Sequence, residues 1–208
     1  GHDDRILPVP LIHFEGERFY ARGLDAGVYL WKNEHHAISL GASYFGLAFD
    51  SSKTDDRRLK RLDDRYATLN AYLYYTLQTG YGHAGVRVLR DVLGNSDAFS
   101  AEAHYKYPFM FGPVYVSPGV GIRWDSEDQL EYYFGISSSE ARKSGLAGYS
   151  PDGGVSPFLS LEADWKFADN WSVMAAGNVL FLSKEIKESP MVDDSQIFNA
   201  TIGLKYAF

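Results

Sequence analysis

From Val114 to Asp125 the chain alternates without a break: Val114, Val116, Pro118, Val120, Ile122 and Trp124 fall on one side, and Tyr115, Ser117, Gly119, Gly121, Arg123 and Asp125 on the other. Only an extended strand separates these two sets, because successive strand side chains point to opposite faces while a helix mixes them. The pattern recurs. Leu159, Leu161, Ala163, Trp165 and Phe167 oppose Ser160, Glu162, Asp164 and Lys166, and Phe99, Ala101, Ala103, Tyr105, Tyr107 and Phe109 oppose Ser100, Glu102, His104 and Lys106. Ala67 to Leu77 and Phe198 to Phe208 alternate in the same way. Runs of about 10–13 residues suit tilted membrane-spanning strands and exceed the usual globular strand of about 5–6.

Such strands are expected at about 6–14, 18–23, 26–32, 36–48, 65–77, 81–92, 97–110, 113–125, 156–168, 171–183 and 197–208, with 18–23 and 26–32 open to being one bent strand. Short turn signals (Leu93-Gly94-Asn95, Phe111-Gly112-Pro113, Asp169-Asn170) join some of them, and longer polar segments at 50–64, 125–154 and 184–196 join others. Short turns at one end and long loops at the other mark an outer-membrane barrel. The expected fold is therefore all-β, an antiparallel up-and-down transmembrane barrel forming a single domain over residues 1–208. About eleven strands are visible. Bacterial single-chain barrels have even strand numbers, so twelve, with a first strand ahead of Gly1, or ten are the alternatives.

One face of the alternation is apolar and aromatic. The other carries Arg87, Glu102, His104, Lys106, Arg123, Glu162, Asp164, Lys166 and Lys205. Unpaired charges are not tolerated in hydrocarbon, so that face must line the lumen. A small barrel is filled by its own side chains, and opposite charges there form either an interior network or a selectivity filter. Trp31, Trp124, Trp165 and Trp171 sit near predicted strand ends, where an aromatic girdle meets the two membrane interfaces. In a soluble sandwich they would instead be core anchors.

Composition supports this reading mainly through aromatics, at 15% of 208 residues. No run of 18 apolar residues exists, so no helix of the chain is expected to cross a membrane. A net charge of −7 argues against nucleic acid as a partner. Cysteine is absent, which removes disulfide frameworks and thiolate metal sites. Gly1-His2-Asp3-Asp4-Arg5 lacks the apolar stretch of a signal peptide, so the chain reads as a mature form, shortened at its start.

The second half carries a more specific signature. Glu131-Tyr132-Tyr133-Phe134-Gly135-Ile136-Ser137, then Ser139 to Leu146 and Gly148-Tyr149-Ser150-Pro151, resembles the long loop of the MipA/OmpV family. Leu7 to Ile12, Phe14-Glu15-Gly16, Leu62-Asp63-Asp64-Arg65, Ser117 to Gly121, Asp169 to Ser172 and Lys187 to Asp193 extend the resemblance in the family's order over nearly the whole chain. Tyr206-Ala207-Phe208 is similar to the terminal aromatic signal of inserted barrels. The resemblance implies a twelve-stranded outer-membrane barrel that scaffolds murein-remodelling enzymes, a lytic transglycosylase and a penicillin-binding synthase. It brings no catalytic residues and no cofactor. The family usually has one more Gly-rich strand ahead of the Pro8-Val9-Pro10 segment.

Other chemistry is weaker. His83 and His104 are expected on adjacent strands, with Ser100, Glu102 and Asp91 nearby, but a nucleophile, base and orienter need mutual hydrogen-bond reach that spacing alone does not establish. No G-x-S-x-G, H-E-x-x-H or P-loop occurs, and His35-His36 on a strand would point oppositely, so no metal site is assigned. Segment 50–64 mixes both signs and reads as a solvated loop, a lipopolysaccharide contact or a protein contact. Loop 125–154 is the best candidate interaction surface, through Tyr132, Tyr133, Phe134, Glu140, Arg142 and Tyr149. A short helix over Ser138 to Lys143, capped by Ser137 or Ser138, could make it a plug or a structural lid instead. The expected partners are outer-membrane lipid, lipopolysaccharide and other cell-envelope proteins. Three functions stay open: a scaffold, a small solute pore, and a surface adhesin.

Overall fold

The computed structural model describes residues 12–206. Its strands are β1 (Ile12–Glu15), β2 (Phe19–Gly23), β3 (Asp25–Lys32), β4 (His36–Phe45), β5 (Thr68–Thr79), β6 (Gly82–Asp91), β7 (Phe99–Lys106), β8 (Phe109–Phe111), β9 (Val114–Asp125), β10 (Gly154–Ala168), β11 (Trp171–Phe181) and β12 (Gln196–Tyr206). They form one antiparallel sheet in chain order, with β7 and β8 both hydrogen-bonded to β9, and the sheet curls into a half-barrel. Among the described residues its edges are β1 and β12. Among the described residues no helix is long and apolar enough to cross a membrane, which says nothing of strands.

The expected strands correspond closely to those observed, with one of them interrupted. Most of the 6–14 segment lies outside the described residues. The 18–23 and 26–32 segments are two strands rather than one bent strand, because Gly23 at φ +63 lets the chain reverse through Leu24. The 97–110 strand is interrupted after Lys106, where Pro108 removes a backbone donor. β7 and β8 nevertheless keep one register on β9, with Lys106 opposite Gly119 and Phe109 opposite Val116.

The wall is inside-out relative to a water-soluble protein. Leu161 is 52% exposed and Ile202 78%, while Thr68 and Ser117 are fully buried. More and less exposed positions alternate from Ser117 to Asp125 in β9 and from Gly154 to Leu161 in β10, as the period-two pattern requires. At roughly 25 cal/mol per Å² of apolar surface, such an outer face is unfavourable in water and favourable against acyl chains.

One row inside the wall was not foreseen. Tyr20, Gly27, Gly41 and Tyr72 lie opposite one another across β2 to β5. The two missing side chains leave a trough, and the tyrosines lean into it until their hydroxyls meet at 2.8 Å. A Cβ on Gly41 would come within 2.5 Å of the Tyr72 ring, so glycine is required for this close approach.

At one end the connections are short, at 16–18, 33–35, 80–81, 112–113 and 169–170. At the other lie the long segments 46–67, 126–153 and 182–195. The Leu93-Gly94-Asn95 turn, short as expected, sits at the long-loop end rather than with the short turns, and it helps to support the loops above it. Asn95 donates to the Ala67 carbonyl at 3.1 Å and Ser96 to Gln129 at 3.5 Å. By the usual orientation of such barrels, the short-turn end faces the periplasm and the long-loop end faces outward.

Candidate functional site: a charged lumen beneath a three-loop cap

The inward faces of β6, β7, β9 and β10 bring most of the predicted lumen residues together. Glu102 accepts from Arg87 at 2.7 Å and from Arg123 at 2.9 Å. Arg123 also pairs with Asp125 at 2.8 Å, and Arg87 reaches Asp25 at 3.6 Å. The register dictates this belt: Arg87 lies opposite Glu102, and Glu102 opposite Arg123. Towards the periplasmic end, Lys106 pairs with Glu162, and Lys205 with Asp164 at 2.5 Å. Lys166 lies beyond them, exposed on β10 opposite Ser172. Glu15, which joins Arg22, Lys32 and Tyr29, belongs to the same mixed-charge surface and was not singled out from sequence.

The histidine cluster does not assemble a nucleophilic site. The His83 and His104 rings lie 6.2 Å apart, and His104 Nε2 meets the Tyr74 hydroxyl at 3.2 Å. Ser100 donates to Asp125 at 2.6 Å instead, and Asp91 is occupied by Thr68 and by the amides of Leu93 and Ser96. His36 turns to the Tyr75 hydroxyl at 2.7 Å. Among the described residues, no three His, Cys, Asp or Glu converge as metal ligands would.

Two adjoining cavities occupy the lumen. One of about 460 Å³ at the short-turn end is lined by Glu15, Lys32, His36 and His83, and one of about 580 Å³ by Glu102, Arg123, Asn178 and Asn199. Arg22, Tyr74, Lys106 and Glu162 line both.

Above them the long loops interlock. Helix α1 (Glu127–Phe134) begins at Ser126, whose hydroxyl caps the Gln129 amide, with Glu127 and Asp128 favourably placed in the first turn. Helix α2 (Ser138–Ser144) starts with a capping box between Ser137 and Glu140 and ends at Gly145 in the left-handed region. The helix expected from Ser138 is therefore present, with Ser137 as its cap. Helix α1 was not expected. A short helix α3 (Lys184–Lys187) follows β11.

Each loop supplies part of a small apolar core. Leu130 of α1 packs with Leu182 and Ile186, and Leu62, Ile136 and Leu146 form a second cluster with Phe49, Tyr149 and Met191 around it. A buried ion pair fastens the two largest loops, Arg65 to Glu140 at 2.8 Å. Burial alone would raise the Glu140 carboxyl. Hydrogen bonds from the Ser137 amide, the Arg65 guanidinium and the Asp63 amide outweigh it and hold the group at about 2.

The loop residues singled out from sequence divide between the inside and outside of this cap. Tyr133 and Glu140 are buried, and Tyr132 and Phe134 are half-buried. Tyr133 donates to the Tyr66 carbonyl and Tyr132 accepts from the Tyr66 amide, each at 3.0 Å. The Phe134 carbonyl accepts from Ser189 at 2.7 Å, and the Tyr149 hydroxyl donates to the Glu185 carbonyl at 2.7 Å. Of the set, only Arg142 stands exposed.

The four tryptophans all face outward and are 40–51% exposed, which removes the sandwich-core reading. Trp124 lies next to the long-loop end, while Trp31, Trp165 and Trp171 lie next to the short turns.

The family described as MltA-interacting protein MipA matches residues 1–208. The MltA-interacting protein of Escherichia coli K12 is 38% identical over 207 residues, covering all of this chain and 84% of that protein. Outer membrane protein OmpV of Vibrio cholerae is 24% identical, covering 94% of this chain and 76% of its own length. The 24 kDa outer membrane protein of Pasteurella multocida is 23% identical, covering 98% and 82%. No solved structure gives a significant match.

Proposed function

The chain belongs to the MltA-interacting protein family of Gram-negative outer-membrane proteins, and from that premise we propose that it is a capped, non-conducting scaffold that gathers murein-remodelling enzymes at its periplasmic rim. The observation that carries this reading is the 38% identity to the MltA-interacting protein along the whole chain. The family points to a lytic transglycosylase and a penicillin-binding murein synthase as the enzymes gathered. Relatives carry names of interacting or outer-membrane proteins, in keeping with a non-enzymatic role.

The geometry bears on where partners dock. Murein enzymes work in the periplasm, whereas loop 125–154 belongs to the opposite end and spends Tyr133, Glu140 and Tyr149 on cap contacts. We therefore assign that loop as a lid and place docking on the short turns. The lumen ladder from Arg87 to Lys205 is assigned a structural role, its charges being largely paired with one another. Trp31, Trp165 and Trp171 are assigned to the periplasmic interface and Trp124 to the outer one.

The test couples two measurements on refolded protein. Immobilised protein is expected to retain a lytic transglycosylase, and planar bilayers to show no conductance until residues 126–153 are deleted. Steady ion-selective conductance from the intact chain would reject the closed scaffold in favour of a pore. Loss of enzyme retention on deleting the loop, with the periplasmic turns intact, would move docking back to the cap.

A further inference from the structure

On the outward rows of the described strands, every position is apolar, aromatic, small or uncharged polar with one exception. Val86, Val88 and Arg90 share the outward face of β6, and Arg90 is exposed there beside Ala71 on one side and Phe99 on the other. Among the described residues it is the single Lys, Arg, Asp or Glu on the lipid-facing surface. Every other strand-borne charge turns inward, most of them into ion pairs.

Its position limits the explanation. Arg90 precedes the last residue of β6 at the long-loop end, so it stands at the outer interface rather than at mid-membrane. A cation on the lipid face costs about 2–4 kcal/mol at the midplane and about 0–1 near the interface. The guanidinium lies 4.9 Å from the Phe99 ring centre, and no carboxylate among the described residues pairs with it. A planar fork of donors at headgroup depth matches one anion class, a phosphate monoester or diester. Exposed apolar groups flank it, Val88 and Val92 on its own segment and Phe99 alongside. They offer acyl contact beside the charge.

We infer that Arg90, stacked on Phe99, is a binding site for a lipid A phosphate of outer-leaflet lipopolysaccharide. The site needs only the outer-membrane placement and is independent of the scaffold reading.

The test is native mass spectrometry of the full chain in detergent with bis-phosphorylated lipid A, beside separate arms with dephosphorylated lipid A, phosphatidylglycerol and inorganic phosphate. Wild type should retain one lipid A, Arg90→Gln should weaken that retention about tenfold, and Arg90→Lys should fall between, since it keeps charge and loses the fork. Heat-modifiable gel mobility establishes that the variants are folded. The comparison of phosphorylated with dephosphorylated lipid on wild type does not depend on any variant. Equal retention of those two lipids, or equal binding by folded Arg90→Gln, would overturn the site. Phosphatidylglycerol or inorganic phosphate binding as tightly as lipid A would overturn the lipopolysaccharide assignment.

Discussion

The cap and the wall of this protein follow opposite burial rules within one chain. In the cap, Leu130, Leu62 and Ile136 are each 3% exposed or less, and polar groups dominate the surface. In the wall, Leu159 and Leu161 face out and Ser117, Ser156 and Thr68 are buried. The cap is organised by water, with helix caps, two small apolar clusters and a buried ion pair. The wall is organised by lipid, and its order lies in backbone ladders and an inward charge network. A hydrophobic residue therefore has no fixed meaning here until its solvent is known.

The sharpest way to break this division is to remove one partner of the ion pair that fastens the cap. Glu140→Ala leaves Arg65 buried without a counter-charge and should cost about 3–5 kcal/mol, confined to the loops. Hydrogen exchange should then rise across 46–67 and 126–153, while the amides of β5 and β9 stay protected. Equal deprotection of wall and cap would show that the two are one cooperative unit.

Acid should attack the same contact without mutation. Glu140 is held at about 2 against 4.5 for an ordinary glutamate. Because its folded value is depressed, its contribution is complete above about pH 4.5 and is lost as pH falls towards 2. The difference is worth about 3 kcal/mol. Limited proteolysis of the loops should accelerate over that window, and Glu140→Gln should remove the dependence. A cap whose protease resistance is flat from pH 5 to pH 2 would contradict the assignment.

The complementary test strikes the wall. Leu161→Arg places a charge on the outward face of β10 and should destabilise the protein in lipid vesicles by ~2–4 kcal/mol, with cap protection unchanged while the wall is folded. Placing Arg at exposed Ala147 in the cap should instead cost less than ~0.5 kcal/mol. Urea midpoints in vesicles separate the two outcomes.

These two logics also explain what was legible in the sequence. Period two exposed β5 to β12, their faces and the inward ladder, because strand geometry translates directly into alternation. The register then brought Arg87, Glu102 and Arg123 into one belt. The cap was only partly legible. Ser137 with Glu140 three residues later signalled α2, and the comparable Ser126 with Glu127 and Asp128 would have signalled α1. What no local pattern carries is the pairing of Arg65 with Glu140, or of Tyr149 with Glu185, because loops from different hairpins meet only after the wall has formed. The assignment of Tyr133 as an interaction residue failed to anticipate its burial for that reason.

The smallest effects should separate two glycines that look alike in sequence. Gly145 ends α2 at φ +75 with open space around it, so Gly145→Ala should cost about 1 kcal/mol, all of it backbone strain in the cap. Gly41 has room on neither side: an added Cβ would meet the Tyr72 ring at 2.5 Å and the Ala26 carbonyl at 2.6 Å. Gly41→Ala should cost ~1–3 kcal/mol through overpacking in the wall. A double-mutant cycle with Tyr72→Leu distinguishes the causes. Removing the ring should recover part of the Gly41→Ala loss, because the clash is shared between the two residues, and should leave Gly145→Ala unchanged, because nothing connects α2 to the trough. If Gly41→Ala proved additive with Tyr72→Leu, the Ala26 carbonyl rather than the tyrosine would set the requirement for glycine, and the trough would be a backbone feature of the curled sheet.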